Sequence, residues 1–596
     1  MIKKTCYKIA NSFVFKDGNY DKLQFAIEYN TLRFNLKAEI TMRLRSNYRI
    51  IGLIACTVIL ASCSSKKEKA TDESKTLNSE KIYTQDVNPY LSKGDYVSPY
   101  LGSNQNSLFK EKIKPYNYQI YTDRLRGILT GIMPVMCVEG KDDSHYWLAD
   151  YNNIYYISTQ GHKLTLLSKM QLSEMPLDTA TIRNFANTYY TTGTDMDNKV
   201  KEVFGKIGET RVQNGKYSLS DNDNIFYSIY DRKLLAFKLN DETDPTKGIS
   251  KIAEYSFNEC ISEEDYVVGI QMTFDGYIIA NTEMGHFCVL TRKTLELKNQ
   301  LQIVPVQKFF APAAIDKNNG IYVLSDSLMI KMVWNGTNLS LMESEGSWNY
   351  PIAYDNDSAL LNNGGGILGA PALMGYGNDS DKLVIITDGA KKANLIAFWR
   401  DKIPDDAVLL NGESSKRIAG KIPIKCGAKG ENIPQYIQSF HSIPVLGYGA
   451  FVANTINGYP TPTMFLDYAL LGSLFPTAKG GEKFTWDTKE NKWISIWSNS
   501  EIGCTAMQPQ VSLDKKMVFV NSFDSRNSVE GWSVKGFDWE TGTLINKIIF
   551  GSQTQYGNGG AGYFQFINDD NFIFNSITGT YMVSFAFEGE NEAPRL

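Results

Sequence analysis

The sequence predicts an all-β chain folded as a single β-propeller, and three observations carry that prediction. Aromatic residues make up 12% of the 596 positions and Gly numbers 47, a composition suited to aromatic-rich strands broken by tight turns. From about residue 125 onward, short strand-like runs alternate with Asn/Asp/Gly turns, and few stretches carry a helical period. The runs fall into groups of four that recur along the chain. Repeats of four short strands point to propeller blades, which close into a ring and leave only short protected edges.

The clearest unit reads Ala313–Asp316, a turn ending at Gly320, Ile321–Asp326, Leu328–Trp334, an Asn335-Gly336 turn and Leu339–Met342. Asn-Gly supplies the positive φ angles that a two-residue hairpin demands. The same order recurs around 267–299, around 370–400 with Ile418–Ile424 as an outer strand, and around 507–550. Weaker copies begin near Met133, Lys216, Ser439 and Tyr563. The total is eight four-stranded blades, with seven as the alternative. The last unit is one strand short, so a strand near Tyr118–Arg124 is expected to complete it and close the ring.

The amino-terminal region reads as an address. Ile50–Leu60 is an apolar run of eleven residues behind Arg43, Arg45 and Arg49. As a helix it would rise about 16 Å, too short for a hydrocarbon core of ~30 Å. A basic flank, a short apolar run and small residues are the layout of a secretory signal. The ending Leu60-Ala61-Ser62-Cys63 resembles the bacterial lipobox, which implies lipidation of Cys63 and a membrane partner reached through that anchor. Ser64 after the Cys resembles the outer-membrane sorting pattern. The expected organisation is a mis-assigned upstream extension over 1–41, a signal peptide over 42–62, a flexible tether over 63–95 and a propeller over 96–596. Insertions are expected near 183–210, with a short helix at Asp195–Thr210, and near 457–482, with an apolar stretch at Thr463–Phe475. The expected place is the envelope of a Gram-negative cell, on the outer membrane, facing the periplasm or the cell surface.

Charge and ligand chemistry narrow the function. A net charge of −4 without a basic stripe excludes a nucleic-acid partner. The four histidines, His145, His162, His286 and His441, are far apart and form no HExxH motif. Cys137, Cys260, Cys288, Cys426 and Cys504 are widely spaced without CxxC, which predicts buried free thiols rather than a disulfide framework. Gly364–Gly366 and Gly557–Gly562 do not stand between a strand and a helix, so they read as tight turns rather than phosphate loops.

At Gly536-Phe-Asp-Trp-Glu-Thr-Gly542 the chain resembles the AxDxxTGxxxW repeat of quinoprotein-like, eight-bladed propellers. Gly536 stands where Ala is usual, and Asn546 where a docking Trp is expected. The resemblance implies the fold and opens a quinone cofactor as a possibility. A lipid-anchored propeller also looks like the outer-membrane assembly scaffold lipoprotein.

In a propeller the first strand of each blade starts at the face where the second ends. Asp150, Asp231, Asn281, Asp326, Asp388, Asn454, Asn521 and Asn575 end the eight second strands and are expected to ring the channel mouth. Such a ring of amides and carboxylates could hold a cation such as calcium, a sugar or a cofactor. The local alternative is that each Asx side chain caps its own turn. Glu283 and His286 are candidates for an acid/base pair on one hairpin, and His441 for a side chain entering the channel. Two functions follow. The first is a lipid-anchored binding or assembly scaffold with an envelope protein or glycan as partner. The alternative is a propeller enzyme, either a quinoprotein-like oxidoreductase or a calcium-dependent lyase or hydrolase acting on a small molecule or glycan.

Overall fold

The computed structural model describes residues 23–26, 39–42, 85–92, 102–109, 112–113, 125–126, 136–161, 163–172, 214–355, 369–428, 434–456, 478–505, 507–524, 530–551, 557–559, 564–568, 571–576 and 579–584. Cys63, the apolar run before it, Asp195–Thr210, Gly364–Gly366 and Thr463–Phe475 lie outside the described residues. The chain divides into Met1–Ile82 and Tyr83–Leu596. In the first unit, Leu23–Ala26 pairs antiparallel with Glu39–Met42.

In the second unit the described strands form eight sheets, the eight blades expected; six have four strands and two have a fifth, Trp348–Pro351 in blade 4 and Leu108–Phe109 in blade 7. Blades 1 to 7 cover residues 136–171, 218–256, 267–302, 314–351, 372–423, 445–504 and 510–551. Blade 8 takes three strands from residues 564–584 and its fourth, Leu125–Arg126, from the far end of the unit. Arg126 pairs with Met582 and Leu125 with Val583, so the ring closes on a segment just beyond the expected Tyr118–Arg124. First strands of blades 1 to 4 touch in turn, as do those of blades 5 and 6, which places them toward the centre.

Period-two packing explains the sequence pattern. In the second strand of blade 4, Ile321 and Val323 join the core shared with blade 3, whereas Tyr322 and Leu324 join the core shared with blade 5. In blade 5, Val384 and Ile386 face blade 4 while Leu383 and Ile385 face blade 6. Inner strands are therefore apolar on both faces and read as continuous runs. The outermost strands, such as Leu297–Gln302, expose most of their side chains.

Tryptophans tie blades together. Trp147 Nε1 donates to Asn224 Oδ1 at 2.8 Å, Trp334 Nε1 to Asp275 Oδ2 at 3.0 Å and Trp486 Nε1 to Asp381 Oδ2 at 2.7 Å. At the Gly536–Gly542 segment, Trp497 of blade 6 donates to the Trp539 carbonyl of blade 7 at 2.8 Å. Gly542 has φ +67°, and a Cβ there would lie 2.5 Å from the Trp497 ring, so only glycine fits beneath that indole.

The outer edge of blade 4 departs from the expected single strand. Leu339–Ser340 is followed by a 3₁₀ turn at Glu343–Glu345, and Trp348–Pro351 then pairs again with Leu328–Trp334. In blade 6 the third strand begins at Ala478, so the end of the expected 457–482 insertion is regular sheet.

Candidate functional site

Residues expected in the tether instead run into the ring. Leu91 bridges to Asp221, Ser92 N donates to Ser220 O, and Asn88 Nδ2 reaches Met272 O at 2.8 Å. Farther on, Ile315 N donates to Ser103 O at 2.7 Å, Leu373 N to Asn104 O at 3.0 Å, Val445 N to Asn106 O at 2.9 Å and Val511 N to Ser107 O at 2.9 Å. The strap steps across one blade with almost every residue, helped by positive φ at Gln105 and Ser107. Innermost strands have an unpaired edge toward the channel, and backbone groups left there without partners would be costly. The strap satisfies them at the end of the channel where first strands turn into second strands.

The opposite end is the mouth. Here seven of the eight Asx residues lie at or just past the ends of their second strands, whereas Asn521 lies within Met517–Asp524, and most of their polar atoms serve nearby backbone. Asp150 Oδ1 accepts the Asn152 and Asn153 amides at 2.7 and 2.6 Å, and its Oδ2 accepts the Tyr155 hydroxyl at 2.6 Å. Asp388 accepts the Asn394 amide at 2.7 Å and its Nδ2 at 2.7 Å; burial pushes this carboxyl up, with the Asn394 donors opposing. Asn575 Oδ1 accepts from the Thr580 hydroxyl at 2.9 Å.

Three amides reach farther. Asn281 Nδ2 donates to Ala311 O at 3.1 Å on the lead-in to blade 4, and Asn521 Nδ2 donates to Gly557 O at 2.9 Å on the lead-in to blade 8. Asn454 Oδ1 accepts from Gln438 N at 3.1 Å. Asp231 is exposed with φ 45°, and Asp326 is half-buried beside Ser327. The residues lie at one face of the ring. The side-chain oxygens of Asp150, Asp388, Asn454, Asn521 and Asn575 already accept N–H or O–H groups, an arrangement that does not fit a calcium or quinone site. Among the described residues, no group of three or more His, Cys, Asp or Glu could hold a metal ion.

His286 pairs with Asp265 rather than with Glu283. Its Nδ1 lies 3.1 Å from Asp265 Oδ2, and the side chain is 22% exposed against a fully buried Asp265. Asp265 also accepts from the Thr282 hydroxyl at 2.7 Å and the Met284 amide at 2.9 Å. This holds the ring at the hairpin tip, the geometry of an oriented base. Glu283 is buried, and its carbonyl accepts from Phe309 N at 2.8 Å. His441 is buried between blades 6 and 7, where Nε2 donates to Thr505 O at 3.0 Å and lies 3.7 Å from Cys504 Sγ. Burial lowers it to about 4.

Sequence reasoning passed over Asp265. It lies outside the strands, and only the fold brings it beneath His286. Cys260, expected as a buried free thiol, is free but half-buried, with Tyr255 Oη 3.6 Å from its Sγ. A further mouth feature is apolar: Val304 and Val306 are 75% and 55% exposed on the lead-in to blade 4, and Tyr354 is 51% exposed on the lead-in to blade 5. Both lead-ins are fastened to the same turn, through Asp326 N to Lys308 O and Ile352 N to Ser327 O, each at 2.9 Å.

No family model matches the chain. An uncharacterized protein of Archaeoglobus fulgidus is 26% identical over 314 residues, covering 50% of this chain and 56% of the relative, so the match spans little more than half of that relative. Among solved structures, a quinohemoprotein alcohol dehydrogenase from Pseudomonas putida is similar with TM-score 0.45 and 11% identity, over 85% of this chain and 82% of that one. BamB from Moraxella catarrhalis is similar with TM-score 0.35 and 12% identity, over 60% of this chain and 94% of that one. These likenesses concern the fold, and the eight-bladed propeller rests on the chain's own sheet pairings.

Proposed function

We propose that this chain is a lipid-anchored scaffold of the cell envelope, held at Cys63 on the outer membrane, that binds a partner protein through its mouth face. The carrying observation is the exposed apolar set Val304, Val306 and Tyr354 on two lead-ins tied to one turn. Exposed apolar groups on a rigid rim favour a protein partner. The strap supports the same face, because it already pairs with inner-strand backbone at the other end of the ring. A photo-crosslinking side chain at position 306 of the full chain, in its native cells, is expected to trap one envelope protein. Val304→Asp combined with Tyr354→Asp abolishes that product without changing the melting temperature. Cys63→Ala releases the chain from membranes. Bound calcium or a quinone absorbance, lost in Asp388→Asn, would overturn the scaffold reading.

His286 on buried Asp265 favours a second reading, a propeller enzyme acting on a small molecule or glycan. Turnover abolished by His286→Ala, with unchanged melting, would establish it.

A further inference from the structure

At the strap end of the ring, a cavity of about 490 Å³ opens at the seam between blade 8 and blade 1. Three turns wall it: Asp142–Ser144 between the first two strands of blade 1, Thr159–Gly161 between its last two, and the blade 8 turn bracketed by Asn568 and Asn571. Ile567 adds an apolar wall and packs on the seam cluster that contains Tyr146, Leu148 and Met582. The hydrogen bonds of Asn88–Ser107 reach blades 2 to 7, so the cavity lies at the two blades these strap bonds leave uncrossed. Its polar walls are set in advance. Asp142 Oδ1 accepts the Ser144 amide at 2.9 Å and the Ser144 hydroxyl at 2.8 Å, and lies 2.7 Å from His145 Nδ1. Burial opposes ionisation of this carboxyl, but the His145 and Ser144 bonds hold it below its ordinary value. Gln160 Nε2 donates to Ser144 Oγ at 3.2 Å, tying the two blade 1 turns, and Asn571 Nδ2 donates to Asn568 Oδ1 at 3.0 Å. Asp143, Gln160 and Asn568 are exposed, and no Lys or Arg stands among the lining residues.

We propose that this seam cavity binds a sugar that carries no acidic group. A sugar presents neighbouring hydroxyls, each able to donate to a carboxylate and to accept from an amide N–H. The lining brings both kinds of partner into one concavity: the Asp142 and Asp143 carboxylates on blade 1, and the side-chain amides of Gln160 and Asn568 on facing turns. The volume falls within the ~300–1,000 Å³ of small-ligand sites and far exceeds the ~30 Å³ that one water occupies. Two carboxylates with no cation beside them repel acidic sugars and phosphate, and favour a neutral or amino sugar. A bare cation fits less well, because Asp142 Oδ1 is already taken by three donors and the lining holds only two carboxylates. The site is separate from the mouth, so the ring offers a second surface at its opposite end.

The test is retention of the labelled full chain on an array of immobilised neutral, amino and acidic oligosaccharides, with and without EDTA. Retention on neutral or amino sugars, unaffected by EDTA and absent from acidic ones, is expected. Asp143→Asn combined with Gln160→Ala weakens it about tenfold, the scale of one lost charge-assisted hydrogen bond, with unchanged melting. Asn568→Ala, on the opposite wall, weakens it as well. Retention on no sugar, retention on acidic sugars only, loss of retention in EDTA, or equal retention by both wall variants and the unaltered chain would overturn the proposal. The wall variants leave the crosslink at position 306 unchanged, so failure here does not bear on the scaffold reading, whose readout is the crosslinked partner.

Discussion

His441 shows how burial turns a sequence candidate into a structural residue. Its ring donates to the Thr505 carbonyl and is enclosed by blades 6 and 7, which favours the neutral form and lowers it to about 4. The unfolded chain takes up a proton near the ordinary value of ~6.5, so below that pH the unfolded state binds more protons than the native state. Stability is therefore lost as pH falls from about 6.5 toward 4. Between pH 7 and pH 5 the expected loss from this group is about 2 kcal/mol. Denaturant unfolding at the two pH values checks it, and His441→Asn, which keeps a donor, should flatten the difference. The Asx residues teach a related lesson. Their recurrence at second-strand ends is written in the sequence, but whether an oxygen faces a cavity or its own turn is not. Asp150 and Asp388 have N–H groups within 2.7 Å, so local satisfaction prevails there.

The strap is the element that the sequence concealed. Ser103-Asn-Gln-Asn-Ser107 is polar and patternless, and reads as linker because its partners are carbonyl and amide groups on distant strands. Its apolar end is more revealing. Phe109 is fully buried, stacks on Phe566 at 5.3 Å with a 15° interplanar angle, and lies 6.0 Å from Phe519. It thus pins the strap between blades 7 and 8. Phe109→Ala should cost ~3–5 kcal/mol, the range for deleting a buried ring where the cavity cannot collapse. Chemical denaturation provides the measurement. Increased protease cutting around residues 85–113, before global unfolding, would show that the strap loosens first. An unchanged midpoint would mean that the strap contributes little to holding the ring.

At the scale of the whole molecule, stability depends on closing the ring with chain from both ends of the propeller. Leu125–Arg126 covers the edge of Gly579–Ser584, which would otherwise offer unpaired backbone groups to another chain. A chain beginning at residue 127 lacks both this strand and the strap. It is expected to lose its single cooperative melt and to run as aggregates in size-exclusion chromatography, whereas a chain beginning at residue 84 behaves like the full one. A monomeric, cooperatively melting product from residue 127 would show that blades 1 to 7 suffice. The blade repeat, the turn positions and the missing strand of blade 8 were all legible because they follow from period-two burial and turn chemistry, which act over a few residues. The strap across six blades and the seat of His286 on Asp265 were not. Each joins groups whose meeting depends on how blades are set around a ring, and no local preference encodes that meeting.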